Sequence, residues 1–279
     1  MSAAAMPLQL RAAVAGSSFY AGMRILPKAQ REAMFAIYGF CRAVDDIADD
    51  QHGDRAARQQ QMQGWRDAIA ALFAGGEAGQ AAFLADGVRQ FGLDRCDFIA
   101  VIDGMQMDLD ADIRWPTFAM LDLYCDRVAS AVGRLSVRVF GMEREAGHAL
   151  AHHLGRALQL TNVLRDIDED AGIGRVYMPM EALAAAGITP HTPETLVAEP
   201  ELDKAARWLA ARAEQHFAEA HAILAARPKG KLIAPKLMDA AYSRVLQQMR
   251  AQGWAAPRQR VSTDKFRLLL TLARLWLTG

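Results

Sequence analysis

The spacing of apolar positions along the chain predicts helix after helix. Pro27 is placed to open a helix. That helix runs through Glu32-Ala33-Met34-Phe35-Ala36-Ile37-Tyr38-Gly39-Phe40-Cys41-Arg42-Ala43-Val44, so continuously apolar that burial on most sides is expected. It leads into an acidic run, Asp45-Asp46-Ile47-Ala48-Asp49, and the polar stretch at His52 and Gly53 ends it. An amphipathic run from 54 to 73 follows, closed by Gly75-Gly76. Further helices are predicted over 79–91, 94–110, 117–140, 143–170, 201–226, 231–251 and 262–277. Runs of alternating β-branched residues are almost absent, which argues against a sheet. The long break is 171–200, where Gly172, Gly174, Pro179, Gly187 and Pro190 cluster. No internal repeat or low-complexity tract divides the chain. The expectation is an all-α fold, a single domain over residues 1–279.

Composition narrows the function classes. The chain has 279 residues, 52% of them hydrophobic, enough for one sizeable core or two modest domains. Lys plus Arg and Asp plus Glu both number 32, so no global charge points to nucleic acid as a partner. Cys41, Cys96 and Cys125 are scattered without a CxxC pair and read as small buried apolar residues of a reduced, cytosolic protein. No basic region followed by an apolar core marks a signal peptide, and no apolar run approaches the roughly 20 residues that span a bilayer. A cytoplasmic protein is expected, at most peripheral to the inner face of the membrane. The basic, apolar stretch Lys265–Leu277 reads as a final core helix with Arg267 and Arg274 facing solvent, in preference to an interfacial helix on a membrane.

The acidic residues change the picture most. Asp45 and Asp49 are spaced i,i+4, as are Asp166 and Asp170 in Asp166-Ile167-Asp168-Glu169-Asp170. On a helix that spacing sets two carboxylates on one face, about 6 Å apart along the axis. Like charges so placed cost a helix a few tenths of a kcal/mol per pair. Two such pairs amid apolar sequence point to a bound cation, and hard divalent ions such as Mg²⁺ take carboxylate oxygens and bring phosphorylated substrates with them. Asn162 lies one turn before Asp166 and offers a neutral oxygen, while Arg42 lies three residues before Asp45, within reach of a phosphate. Asp46, Asp168 and Glu169 fall off the paired faces. His52, His148, His152, His153 and His216 show no metal-site spacing, and the i,i+4 pair His148 and His152 reads as a polar helix face.

Four segments in order and spacing carry a resemblance. Asp45-Asp46-Ile47-Ala48-Asp49, preceded by Tyr38 and Arg42, resembles the first aspartate motif of the squalene and phytoene synthases. Leu158-Gln159-Leu160-Thr161-Asn162-Val163-Leu164-Arg165-Asp166-Ile167-Asp168-Glu169-Asp170 resembles the second. Tyr124 to Gly133 matches the segment between them, and Gly174-Arg175-Val176-Tyr177-Met178-Pro179 the stretch after the second motif. The likeness runs from about Ser17 to Val261.

The resemblance implies an isoprenoid-synthase helical bundle whose aspartates face each other across a central apolar cavity. It implies Mg²⁺ held by Asp45, Asp49, Asn162, Asp166 and Asp170. It further implies diphosphates bound by Ser18, Arg42, Arg165, Tyr242 and Arg260, with Tyr124 in the catalytic set beside Asp45, Asp49, Asp166 and Asp170. Phe19, Met23, Phe35, Tyr38, Tyr124, Val128 and Val132 are the expected cavity walls.

The implied chemistry is head-to-head joining of two isoprenyl diphosphates. One donor ionises, its C1 cation is attacked by the second donor's double bond, and proton loss closes a cyclopropane. The proton goes to the released diphosphate or to a pocket tyrosine, and the residues do not choose between them. Ser17-Ser18-Phe19-Tyr20, Arg31 to Tyr38 and Asp126 to Ser136 most resemble the bacterial hopanoid-pathway branch. That branch stops at presqualene diphosphate made from two farnesyl diphosphates. A phytoene synthase using geranylgeranyl diphosphate, or a full squalene synthase, is the alternative. A catalytically silent helical partner would be expected to lose the metal ligands that this chain keeps. Transient membrane-surface contact and hand-off to a downstream squalene-pathway enzyme complete the expectations.

Overall fold

The computed structural model describes residues 6–7, 10, 20–50, 54–110 and 113–262. The expected position Ser18, the wall candidate Phe19, His52 and the 262–277 helix beyond Ser262 lie outside the described residues. Among those described there is no strand, and the predicted helices form with three departures that matter for the site.

Helix α1 (Tyr20–Arg24) leads through Pro27 into α2 (Lys28–Asp49). Ile37, Phe40, Val44 and Ala48 recur at helical spacing and are buried, so Asp45 and Asp49 fall on the flank next to the buried stripe. Phe40 meets Trp65 and Phe98 edge-on at centroid distances of 5.4 and 5.3 Å. These contacts lock α2 onto α3 (Arg55–Ala74) and α5 (Arg95–Asp110). Gly75 ends α3 with φ of 75° and its N–H on the Ala71 and Leu72 carbonyls, as its sequence position predicts. The 79–91 segment is a 3-10 turn (Gly79–Leu84) followed by α4 (Ala85–Phe91), tighter than the single helix expected.

The second departure lies in 117–140. Helix α6 (Phe118–Cys125) and α7 (Ala131–Val139) are joined by a π-helical turn, Asp126–Ser130. The wide turn is packed between two glycines. A Cβ on Gly155 would lie 2.7 Å from Ser130 Cα and N, and one on Gly104 would lie 3.0 Å from Arg127 Cβ. Only hydrogen at both positions lets the backbones approach so closely.

The third departure concerns the second acidic motif. Instead of one helix over 143–170, α8 (Arg144–Arg165) stops at Asp166, whose φ of −104° and ψ of 20° lie outside the helical region, and α9 (Ile167–Gly172) follows. Adjacent side chains diverge on a regular helix. Here the break brings Arg165 onto Asp166. The Asp170 N–H still bonds the Asp166 carbonyl at 2.8 Å, so the two acids remain one turn apart.

The Gly- and Pro-bearing stretch 171–200 contains two short helices the pattern did not show, α10 (Met180–Ala186) after Pro179 and α11 (Pro193–Val197) with a Thr192–Thr195 capping box. Helix α12 (Leu202–Ala225) packs along α8, and α13 (Ile233–Gln252) packs against both. Trp254 then folds back: its indole N–H bonds the Leu164 carbonyl at 2.9 Å, one of the carbonyls a helix end leaves free. That contact delivers Arg258 and Arg260 to the end of α8. The buried apolar residues form one continuous core; Cys125 belongs to it and Cys41 packs half-buried against it, whereas Cys96, expected to be buried, is exposed in the first turn of α5. Among the described residues no single helix is long and apolar enough to cross a membrane.

Candidate active site

Helices α2 and α5, the α8–α9 break and the loop after α9 converge on one acidic site. At its first wall, Arg42 pairs with Asp45 (Nη1–Oδ2 3.0 Å) and with Asp46 (Nη2–Oδ1 2.6 Å). Burial, then repulsion from Asp49, raises the Asp45 carboxyl to about 6. Asp49 is exposed and is met by Arg175, Nη1 to Oδ1 at 2.6 Å, while Arg175 Nη2 bonds the Ala48 carbonyl at 2.8 Å.

At the second wall, Asp166 takes Arg165 (Nε to Oδ1 2.8 Å) and Arg260 (Nε to Oδ1 2.8 Å). Arg260 also reaches Glu169 at 3.0 Å. Tyr242, buried on α13, touches Arg165 electrostatically, and its burial pushes the phenol up. Desolvation first, and Asp166 second, raise Asp170 to about 7. Asn162 Nδ2 contacts Gln159 at 3.4 Å, but Asn162 Oδ1 is buried without a hydrogen-bond partner. A buried carbonyl oxygen left bare costs about 1–3 kcal/mol, so its presence calls for a ligand. Asp168 is turned away to Arg258, Nε to Oδ2 at 3.0 Å.

The two walls share an electrostatic centre that the acid spacing did not reveal. Asp108, on α5, is buried and accepts hydrogen bonds from Tyr124 (2.9 Å) and Tyr177 (2.7 Å). The two tyrosine rings stack with centroids 5.0 Å apart. Burial raises Asp108 to about 6 against the lowering influence of Arg175, and its charge adds to the upward shifts of both Asp45 and Asp170. Both phenols are pushed well up by burial and by Asp108. Arg175 and Tyr177 are set by a short parallel bridge, Val176 N–H to Ile113 carbonyl at 2.7 Å and Trp115 N–H to Val176 carbonyl at 2.8 Å. The turn before them needs Gly174, whose φ is 82°.

The structure thus gathers Asp45, Asp49, Asn162, Asp166, Asp170, Arg42, Arg165, Tyr242, Arg260 and Tyr124 around one site. It adds Asp108, Arg175 and Tyr177. A signal for Asp108 was present: an acid set among Ile102, Met105 and Leu109 on the buried face of its helix. Arg175 and Tyr177 belong to the stretch that follows the second acidic motif, where spacing alone gives them no role. Of the wall candidates, Met23 and Tyr124 are buried, and Phe35, Tyr38, Val128 and Val132 are half-buried against the core.

An all-helical bundle with two acidic motifs opposed across a basic and tyrosine-lined centre defines the class of helical isoprenoid synthases. The model of the squalene/phytoene synthase family matches residues 12–267, and the chain belongs to that family. The presqualene diphosphate synthase of Zymomonas mobilis is 60% identical over 263 residues, 94% of this chain and 90% of that protein. That of Rhodopseudomonas palustris is 55% identical, over 90% of this chain and 89% of its own. A chloroplastic phytoene synthase of Daucus carota is 39% identical over 62% of this chain and 45% of its own length. Among solved structures, squalene synthase HpnC from Alicyclobacillus acidocaldarius superposes with a TM-score of 0.75 at 25% identity, covering 89% of this chain and 97% of that one.

Proposed function

We propose that this protein condenses two farnesyl diphosphates head to head into presqualene diphosphate, releasing one diphosphate. The relatives that match over nine-tenths of the chain at 60% and 55% identity carry that name. The observation that carries the site assignment is the bare, buried Asn162 Oδ1 one turn from Asp166, within a set of four paired aspartates. An all-oxygen donor set of this kind fits Mg²⁺. Asp45, Asp49, Asn162, Asp166 and Asp170 would hold Mg²⁺, which when bound neutralises diphosphate charge as the allylic bond breaks.

The chain's own groups do the rest. Arg42, Arg165, Tyr242 and Arg260, with Ser18, bind the diphosphates. Each arginine is already oriented by an aspartate, so little side-chain order is lost when phosphate arrives. The apolar surface of Phe35, Tyr38, Val128 and Val132 keeps water from the cation. Tyr124 and Tyr177 commit their O–H groups to Asp108, and their raised pKa values keep them protonated. They are donors, poorly suited to accept the proton lost as the cyclopropane closes, which favours the released diphosphate over either of these two phenols as its acceptor. Tyr124→Phe is therefore expected to lower kcat about tenfold, through loosened Asp108, and to leave the product unchanged. A loss near ten-thousandfold would make Tyr124 the proton acceptor instead.

The reaction is cytoplasmic in this reading. Its lipid-like product implies transient contact with a membrane surface and hand-off to a downstream squalene-pathway enzyme. Incubation with Mg²⁺ and either farnesyl or geranylgeranyl diphosphate, with and without NADPH, tests the assignment. The expected product is the C30 cyclopropyl diphosphate from farnesyl diphosphate, whether or not NADPH is present. A C40 hydrocarbon from the longer donor, or NADPH-dependent squalene, would contradict it.

A further inference from the structure

Away from the acidic site, three imidazoles converge where α12 crosses α8. His152 and His153 come from the middle of α8 and His216 from α12. Spacing along the chain gives none of them a metal-site companion, and the companion of His152 is indeed not His148. It is the packing of α12 along α8 that brings His216 to the adjacent pair. His153 Nδ1 and His216 Nδ1 lie 3.1 Å apart, and one ring nitrogen of each of the three residues falls within 4.8 Å of the others. Ring centroids are separated by 4.7 Å (His152–His153), 5.3 Å (His153–His216) and 5.9 Å (His152–His216).

We propose that His152, His153 and His216 form a second metal site, for a transition-metal ion of the Zn²⁺ type, that clamps α12 to α8. Tetrahedral Zn²⁺ with Zn–N bonds of about 2.0–2.1 Å sets its ligand nitrogens about 3.3 Å apart. The His153–His216 separation is already within a few tenths of an ångström of that edge. His152 is exposed, and a turn of its ring would close the remaining distance. The backbone beneath it is fixed, because its carbonyl accepts the Ser130 hydroxyl at 3.2 Å. Burial depresses His216 to about 4 and also lowers His152, so both rings are neutral at physiological pH with a lone pair to give. Arg156 would repel a cation here, but it is held by Asp122 and Asp126, and those carboxylates balance its charge beside the imidazoles.

The ligand chemistry separates this site from the acidic one. Imidazole nitrogen suits Zn²⁺, Ni²⁺ or Cu²⁺, whereas Mg²⁺ prefers oxygen. Along α8, His152 and Asn162 are ten residues and about 15 Å apart. The fourth coordination position is left for water, as three-histidine sites leave it.

The test uses the full chain stripped with EDTA and then held in excess Mg²⁺, so that oxygen ligands are saturated. Zn²⁺ alone is titrated calorimetrically against wild type and against the His153→Ala/His216→Ala double variant. One Zn²⁺ is expected to bind wild type and raise its melting temperature by several degrees. The double variant is expected to bind at least tenfold more weakly while keeping its helical signal and its Mg²⁺-dependent activity. Co²⁺ added to wild type supplies an independent readout, an intense visible band of tetrahedral nitrogen coordination. Zn²⁺ affinity within twofold in the double variant, or no such Co²⁺ band on wild type, would overturn the proposal.

Discussion

Asp166→Asn is expected to lower kcat/KM about a thousandfold, roughly 4 kcal/mol of transition-state stabilisation. The side chain keeps its size and one acceptor oxygen, so Arg165 retains a partner and the α8–α9 break is preserved. What disappears is the charge that Arg165 and Arg260 converge on, 2.8 Å from each, beside the bare Asn162 oxygen. Circular dichroism should be unchanged. Asp168→Asn is the matched control: two residues away, it pairs with Arg258 on the outer side and should stay within threefold of wild type. Steady-state kinetics of both variants check the pair. Equal losses would mean that acidity near the break matters only for local folding.

The largest stability effect is expected from Gly155→Ala. The added methyl would sit 2.7 Å from the Cα and N of Ser130, backbone atoms of the π turn that have no rotamer to yield. Overpacking of this kind costs about 3 kcal/mol. It should appear as a lower urea midpoint with an unchanged slope. Gly64→Ala, at a helical position on α3 where the nearest atom outside the helix is Gln80 Nε2 at 3.8 Å, should move the midpoint the other way, reflecting a gain of up to about 1 kcal/mol in stability. Opposite signs for one chemical change would show that the α8–π-turn contact, not helix propensity, sets the cost. Since Tyr124 lies just before that turn, the packing constraint and the site geometry are the same feature of the fold.

Helical spacing was legible because apolar residues recur with the period of the buried faces; α3, α5, α12 and α13 begin and end within two residues of expectation. The helix break at Asp166 was not legible, because the local repulsion between Asp166 and Asp170, a few tenths of a kcal/mol, is too small to mark where a helix stops. The break follows from arginines delivered to Asp166, one of them 94 residues further along the chain. The π turn was hidden for the same reason: its cause is the approach allowed by Gly104 and Gly155 on other helices. Within the site, the paired aspartates stood out by their spacing, and the role expected of Asn162 came with the family resemblance. Asp108 left only a weak signal, since a single acid on an apolar helix face acquires meaning only when Tyr124 and Tyr177 are seen to donate to it. The three histidines illustrate the general limit: spacing finds ligands that share an element, and packing supplies those that do not.

In the proposed site, the two aspartate walls hold Mg²⁺ and diphosphate together, completed by the bare oxygen of Asn162. Its most direct test is calorimetric binding of farnesyl thiodiphosphate, a slowly ionising analogue, to wild type and to Asn162→Leu, each with Mg²⁺ and with EDTA. Wild type is expected to bind tightly only with Mg²⁺, and Asn162→Leu to show at least tenfold weaker Mg²⁺-dependent binding. Binding by wild type that is equally tight in EDTA, or an Asn162→Leu affinity within twofold of wild type in Mg²⁺, would contradict it.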